Sequence, residues 1–172
     1  ITGNTIGYAN SAGTGTTNMV GLSSGALGGT FPSAYTVGGV ANATRYVAIN
    51  AAFTVAGTVS EIQNNTVAGF ALYTSSGAAT TSGIFCGIAV TSGNVNIGTT
   101  TGNTIGATTG NGSIYTATTT TGGMIAGIYV TSGNAVAIRN NTIGALDAMG
   151  TSATLSGGIN GINVAGASSS YD

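Results

Sequence analysis

The chain is 172 residues long, with 3% charged residues, 42% apolar residues and 31 glycines. A mean hydropathy of +0.38 with a formal charge of -1 excludes the charged, weakly hydrophobic composition of a disordered chain. Two basic residues, Arg45 and Arg139, are too few to grip nucleic acid or an acidic membrane, and no apolar run reaches the roughly 20 residues of a bilayer-crossing helix.

The first recognisable segment, Asn4-Thr5-Ile6-Gly7, returns as Asn65-Thr66-Val67-Ala68, Asn103-Thr104-Ile105-Gly106 and Asn141-Thr142-Ile143-Gly144. Asn65, Asn103 and Asn141 are evenly spaced, 38 residues apart. The first interval, Asn4 to Asn65, is 61 residues, so the first unit carries an irregular insertion over about 8–43 that includes the only proline, Pro32. Regular repeats occupy about 44–172, and 1–172 reads as a single domain.

Ala51 to Gly69 aligns without a gap on Gly127 to Ala145, pairing Ile62 with Ile138 and Asn64 with Asn140. The same alignment puts Phe53, Ala89, Tyr129 and Asn163 in one outward column. Gly87-Ile88-Ala89-Val90-Thr91-Ser92-Gly93-Asn94 recurs 40 residues later as Gly127-Ile128-Tyr129-Val130-Thr131-Ser132-Gly133-Asn134. Apolar residues at alternate positions, with Gly, Ser or Asn at the breaks, predict short strands. A helix is a poor alternative, because each interior glycine costs about 1 kcal/mol relative to alanine. Short strands and tight turns repeated every few tens of residues describe a coil stacking on its neighbours.

The string from Gly127 to Ile143 resembles the right-handed parallel β-helix repeats of pectate-lyase-like and bacterial surface proteins. The resemblance implies an all-β fold, a right-handed parallel β-helix (β-solenoid) of about four to five coils with extended loops. It also implies three short parallel strands per coil and a structural ladder of stacked asparagines, here Asn4, Asn65, Asn103 and Asn141. Ile114 to Thr121 departs from that pattern as an added loop or extra strand.

Neither end of the sequence reads as a cap for an open coil. Ile1 to Gly7 matches Ile138 to Gly144, and Gly161 to Val164 matches Gly127 to Val130. From Val164 to Asn4 of a following copy is 12 residues, against 13 from Val90 to Asn103 and 11 from Val130 to Asn141. The expected partner is therefore further copies of the chain, joined head to tail into an open filament. Its expected interface is Ile1, Asn4, Ile6, Ile162, Val164 and Tyr171. One period of a longer tandem array fits the same arithmetic.

Chemistry is sparsely equipped. Glu61, Asp147 and Asp172 share no aligned column, so no carboxylate pair for glycoside cleavage is expected, and the chain lacks histidine. Cys86, aligned with Ala126 beside a strand, reads as a buried inert thiol. Arg139 shares a column with Gln63 and Thr2 and reads as solvated. The sugar-acceptor patterns at Asn64 and Asn140 follow from the repeat and sit in a tight turn; those at Asn42 and Asn111 stay open. No catalytic residue, metal or cofactor is expected. The function expected is a structural subunit of an extracellular filament or surface layer, because Thr, Ser, Gly and Asn in place of Lys and Glu suit an exported protein. The alternative is an adhesin-type solenoid that binds polysaccharide through its tyrosines or ice through its threonines. A polysaccharide lyase ranks behind both.

Overall fold

The computed structural model describes residues 1–20, 27–28, 36–37, 43–54, 57–76, 82–110, 113–118, 124–150 and 158–166. Every regular element among them is a strand. The first pass holds β1 (Thr5–Gly7), β2 (Thr17–Val20), a hairpin of β3 (Leu27–Gly28) with β4 (Thr36–Val37), and β5 (Tyr46–Ala52). The second holds β6 (Ser60–Ile62), β7 (Thr66–Ala68), β8 (Phe70–Thr74) and β9 (Phe85–Ser92). The third holds β10 (Val95–Ile97), β11 (Thr104–Gly106), β12 (Ile114–Thr118) and β13 (Met124–Val130). The fourth holds β14 (Val136–Ile138), β15 (Thr142–Gly144), β16 (Leu146–Gly150) and β17 (Gly158–Val164).

Corresponding strands of successive passes pair in parallel, in four ladders. The first runs β1-β7-β11-β15 and the second β2-β8-β12-β16. The third joins β5 to β9 and β13 to β17, with Ile84 N–H on Met124 O (2.8 Å) and Thr131 N–H on Val90 O (2.9 Å) holding β9 beside β13. The fourth runs β6-β10-β14, extended by a bridge between Thr2 and Gln63. Each pass visits the ladders in the same order, so the all-β chain is a stack of parallel strands consistent with a β-solenoid.

Alternation supplies the core. Val67 and Ile105 of the first ladder, Phe70, Leu72 and Ile114 of the second, Ile88, Val90, Ile128 and Val130 of the third, and Ile62 and Ile97 of the fourth are all buried together. Each such side chain contributes about 1.5–3 kcal/mol on leaving water. Tyr46, Phe70 and Phe85 form a tilted aromatic cluster with ring centroids 4.7 to 5.8 Å apart. The corner between the fourth and first ladders turns through left-handed backbone at Asn64 (φ 53°) and Asn140 (φ 56°), a conformation asparagine tolerates better than other side chains. Close packing also dictates Gly127: a Cβ there would lie 2.5 Å from Gly161 O and 2.7 Å from Ile143 Cγ2.

Several expectations need correction. The unit has four strands where the resemblance implies three: of the two alternatives for Ile114–Thr121, the extra strand is the one found, Ile114–Thr118 pairing with Phe70–Thr74 on one side and Leu146–Gly150 on the other. The four passes among the described residues agree with the expected four to five. The insertion over about 8–43 is not continuous: residues 8–16 are extra where the next pass has only Gly69, but Thr17–Val20 lies in the second ladder beside Phe70–Tyr73. The gapless alignment upstream of Ile62 fails too: Asn50, not Phe53, lies opposite Ala89. Ala51 and Ile62 are 11 residues apart while their partners Val90 and Ile97 are 7 apart, and the strand is bulged between Ala51 and Ala52. Pro32 lies outside the described residues.

Thr116 stands in an inward column with Leu72 and Ala148, buried, and its hydroxyl has no partner among the described residues. Replacing it with the isosteric Thr116→Val removes an unpaired buried hydroxyl and should raise stability by about 1 kcal/mol. Gly127→Ala should lower it by about 2 kcal/mol through overpacking. Urea midpoints at constant slope measure both; equal midpoints for the two variants would contradict this account of the interior.

Candidate functional site

The asparagine at the start of each first-ladder strand points its amide along the stack. Asn4 Nδ2 donates to Asn65 Oδ1 (2.9 Å), Asn65 Nδ2 to Asn103 Oδ1 (2.8 Å), and Asn103 Nδ2 to Asn141 Oδ1 (2.8 Å). Each of these oxygens also accepts the backbone N–H of the preceding asparagine, at 3.1, 3.0 and 3.0 Å. The second amide hydrogen reaches back to the previous pass: Asn65 to Ile1 O, Asn103 to Ile62 O and Asn141 to Ile97 O. Asn65 and Asn103 are buried, yet both amides are satisfied, because the neighbouring layer carries the same residue in the same place.

The layers differ in how far they are covered. Ile128 is fully buried, whereas Ile162, its register partner on β17, is 50% exposed, as are Ile159 (49%) and Val164 (39%). At the opposite end Ile1 is 46% exposed, Asn4 is exposed and Ile6 is half-buried. Ile1, Asn4 and Ile6 thus share one open layer and Ile162 and Val164 the other. Tyr171 lies outside the described residues.

Two surface features were not read from the sequence. Thr5, Thr66, Thr104 and Thr142 are in register, one per layer, on the outer side of the first ladder, and none of their hydroxyls has a partner among the described residues. The outward column aligned in the sequence, with Ala89, Tyr129 and Asn163, is a different one, in the third ladder. Outside that third ladder, Val47, Asn50, Ser82, Ala89, Thr91, Tyr129 and Thr131 line a shallow cavity of about 270 Å³. Tyr129 is 5% exposed there. The aligned block containing Ala89 and Tyr129 was visible in the sequence, but Asn50 and Ser82 come from other passes and segments.

The candidates for chemistry stay apart. Glu61 is exposed on the fourth ladder, where it accepts from Asn96 Nδ2 at 2.7 Å and from the Gln63 amide. Asp147 stands on the second ladder opposite Tyr115, and Asp172 lies outside the described residues. Among the described residues no three His, Cys, Asp or Glu side chains gather as a metal site. Arg139 is exposed, and Arg45 donates through Nε to Ser76 Oγ at 3.0 Å. Asn64 and Asn140 are exposed at their left-handed turns, the Asn140 amide reaching Gly98 O and Thr99 O; Asn42 and Asn111 lie outside the described residues.

Cys86 is buried with Ala89, Ala126 and Tyr129 on the outer side of the third ladder, its thiol donating to Ile88 O at 3.3 Å. Burial pushes that thiol up to about 12 from an ordinary 9.0. Because the folded protein holds this proton more tightly, its contribution to stability is intact below about pH 9 and is lost as the pH rises toward 12. Cys86 should therefore resist thiol reagents at pH 8 in the folded protein and react fully in denaturant. Rapid labelling of the folded protein would contradict its placement.

The chain matches no protein-family model, no curated protein and no solved structure.

Proposed function

We propose that the chain is a structural, non-enzymatic subunit of an extracellular filament or surface layer. In this reading the four passes close into coils of a right-handed parallel β-solenoid, and the open layers of successive copies pair head to tail. The observation that carries the reading is the contrast within one column: Ile128 is fully buried between neighbouring layers, while its in-register partner Ile162 is half exposed. Open parallel strands, each with unpaired backbone groups on one side, are templates for another chain. The near absence of charge leaves little repulsion against self-association, and the Thr- and Asn-rich surface is in keeping with an exported protein.

A second reading, a surface-binding module, is favoured by the Tyr129 cavity for a polysaccharide and by the in-register threonine column for ice. Retention on immobilised polysaccharide that is lost in Tyr129→Ala, or thermal hysteresis lost in Thr104→Val, would favour it over assembly.

Electron microscopy of the purified protein should reveal filaments with a subunit rise of about 19 Å, four layers at ~4.8 Å each. Assembly should survive molar salt, because few charges are there to be screened. Ile6→Asp and Ile162→Asp should each abolish filaments by placing a carboxylate in the joint. Monodisperse particles for the parent chain, or unchanged filaments in both variants, would overturn the proposal.

A further inference from the structure

We infer that the asparagine ladder fixes the polarity and register of the joint between copies, with Asn141 of one copy donating to Asn4 of the next. The inference rests on the end-to-end reading above and adds residues to it: Asn141 and the backbone edges of Thr5 and Ile143.

The ladder has a direction. In every internal step the donors, a backbone N–H and an amide N–H, belong to the earlier pass, and the acceptor Oδ1 belongs to the later one. The two ends are therefore unlike. Asn4 Oδ1 has no donor among the described residues, and the backbone N–H of Asn141 has no acceptor. Both end asparagines fall back on a local substitute, the carbonyl two residues earlier: Asn4 Nδ2 on Thr2 O (3.2 Å) and Asn141 Nδ2 on Arg139 O (2.9 Å). No such bond is present at Asn65 or Asn103.

The backbone carries the same asymmetry. Thr66, Thr104 and Thr142 each donate N–H to the carbonyl of the asparagine one pass earlier, Asn4, Asn65 and Asn103, all at 2.8 Å. Continuing the series leaves Thr5 N–H and Asn141 C=O as the unmatched donor and acceptor. Setting the Thr5–Gly7 strand of one copy on the Thr142–Gly144 strand of another, Thr5 over Thr142, satisfies all of these groups with the geometry the chain repeats internally three times. A head-to-head contact would bring Oδ1 against Oδ1 and N–H against N–H, and a tail-to-tail contact would oppose the Asn141 donors. A slip of one residue would place Asn4 over Asn140 or Thr142 and move Ile6 from the core face to the outside. Apolar contact at Ile162 and Val164 alone has no such preference.

Asn141→Asp tests this, because the variant keeps the Oδ1 that accepts from Asn103 but turns a second carboxylate oxygen toward Asn4 of the next copy. At pH 7 its critical concentration for assembly, measured by sedimentation, should rise at least tenfold. The variant also loses the Asn141 amide bonds to Ile97 O and Arg139 O, so its monomer melting temperature should fall and is measured alongside to show that the chain stays folded. At about pH 3 the protonated acid can donate again and assembly should recover. Thr5→Pro, which removes the N–H at one edge, and Ile162→Asp, which blocks the other, supply the orientation test. Each alone should stay monomeric, and an equimolar mixture should give heterodimers that stop at two. Asn141→Asp assembling like the parent, or either blocked variant dimerising alone, would overturn the polarity while leaving end-to-end assembly standing. A parent chain that never assembles would overturn both.

Discussion

Parallel backbone pairing between successive passes is the constraint on which the rest of this structure depends. It holds equivalent residues about 4.8 Å apart along the stack, so every side chain meets a counterpart from the next pass rather than an unrelated partner. A polar residue can then be buried if its counterpart has the complementary donor and acceptor, and asparagine is complementary to itself. Asn65 and Asn103 are buried on that basis at a position where a lone amide would cost about 1–3 kcal/mol unpaired. The same rule explains Gly127, which yields to the backbone of the next layer, and the isoleucine columns that fill the interior.

A structure built by repetition has no internal reason to stop. The middle passes satisfy one another, and among the described residues the first and last layers each keep one face exposed, apolar side chains and directed backbone groups together. That is why the exposed residues of this chain are informative: Ile162 and Ile128 differ in exposure although they share a column. The charge-poor surface follows the same logic, since stacked columns of one sign would repel along the whole axis.

The sequence exposed those parts of the fold in which each residue answers to a single demand. In Asn-Thr-Ile-Gly the asparagine bonds along the stack, the threonine faces out and the isoleucine or valine faces in. A left-handed residue at the fourth position (Gly7, Gly106) or the fifth (Gly69, Ala145) turns the corner, so the pattern itself repeats. The second ladder was legible only at Ile114–Thr121, as a loop or extra strand, for the opposite reason. Its inward columns, Thr17 with Phe70, Ile114 and Leu146, and Met19 with Leu72, Thr116 and Ala148, ask only for something that fits, and composition drifts from layer to layer. Register failed where chain length changed, between β5 and β6, because extra turn residues and a bulge shift every position upstream. The cavity beside Tyr129 was missed because it depends on which strands lie side by side, whereas the threonine column was already implicit in the Asn-Thr-Ile-Gly repeat.

The central claim is that the open layers are completed by other copies, and amide hydrogen exchange at those layers measures it most directly. Amides deep in the stack, such as Ile105, should exchange slowly at every concentration. Thr5 and Asn141 should exchange quickly in dilute solution and become protected, by a factor of 100 or more, once the protein is concentrated enough to assemble, about 2.7 kcal/mol of added protection. Unchanged exchange at Thr5 and Asn141 across that range would contradict the account.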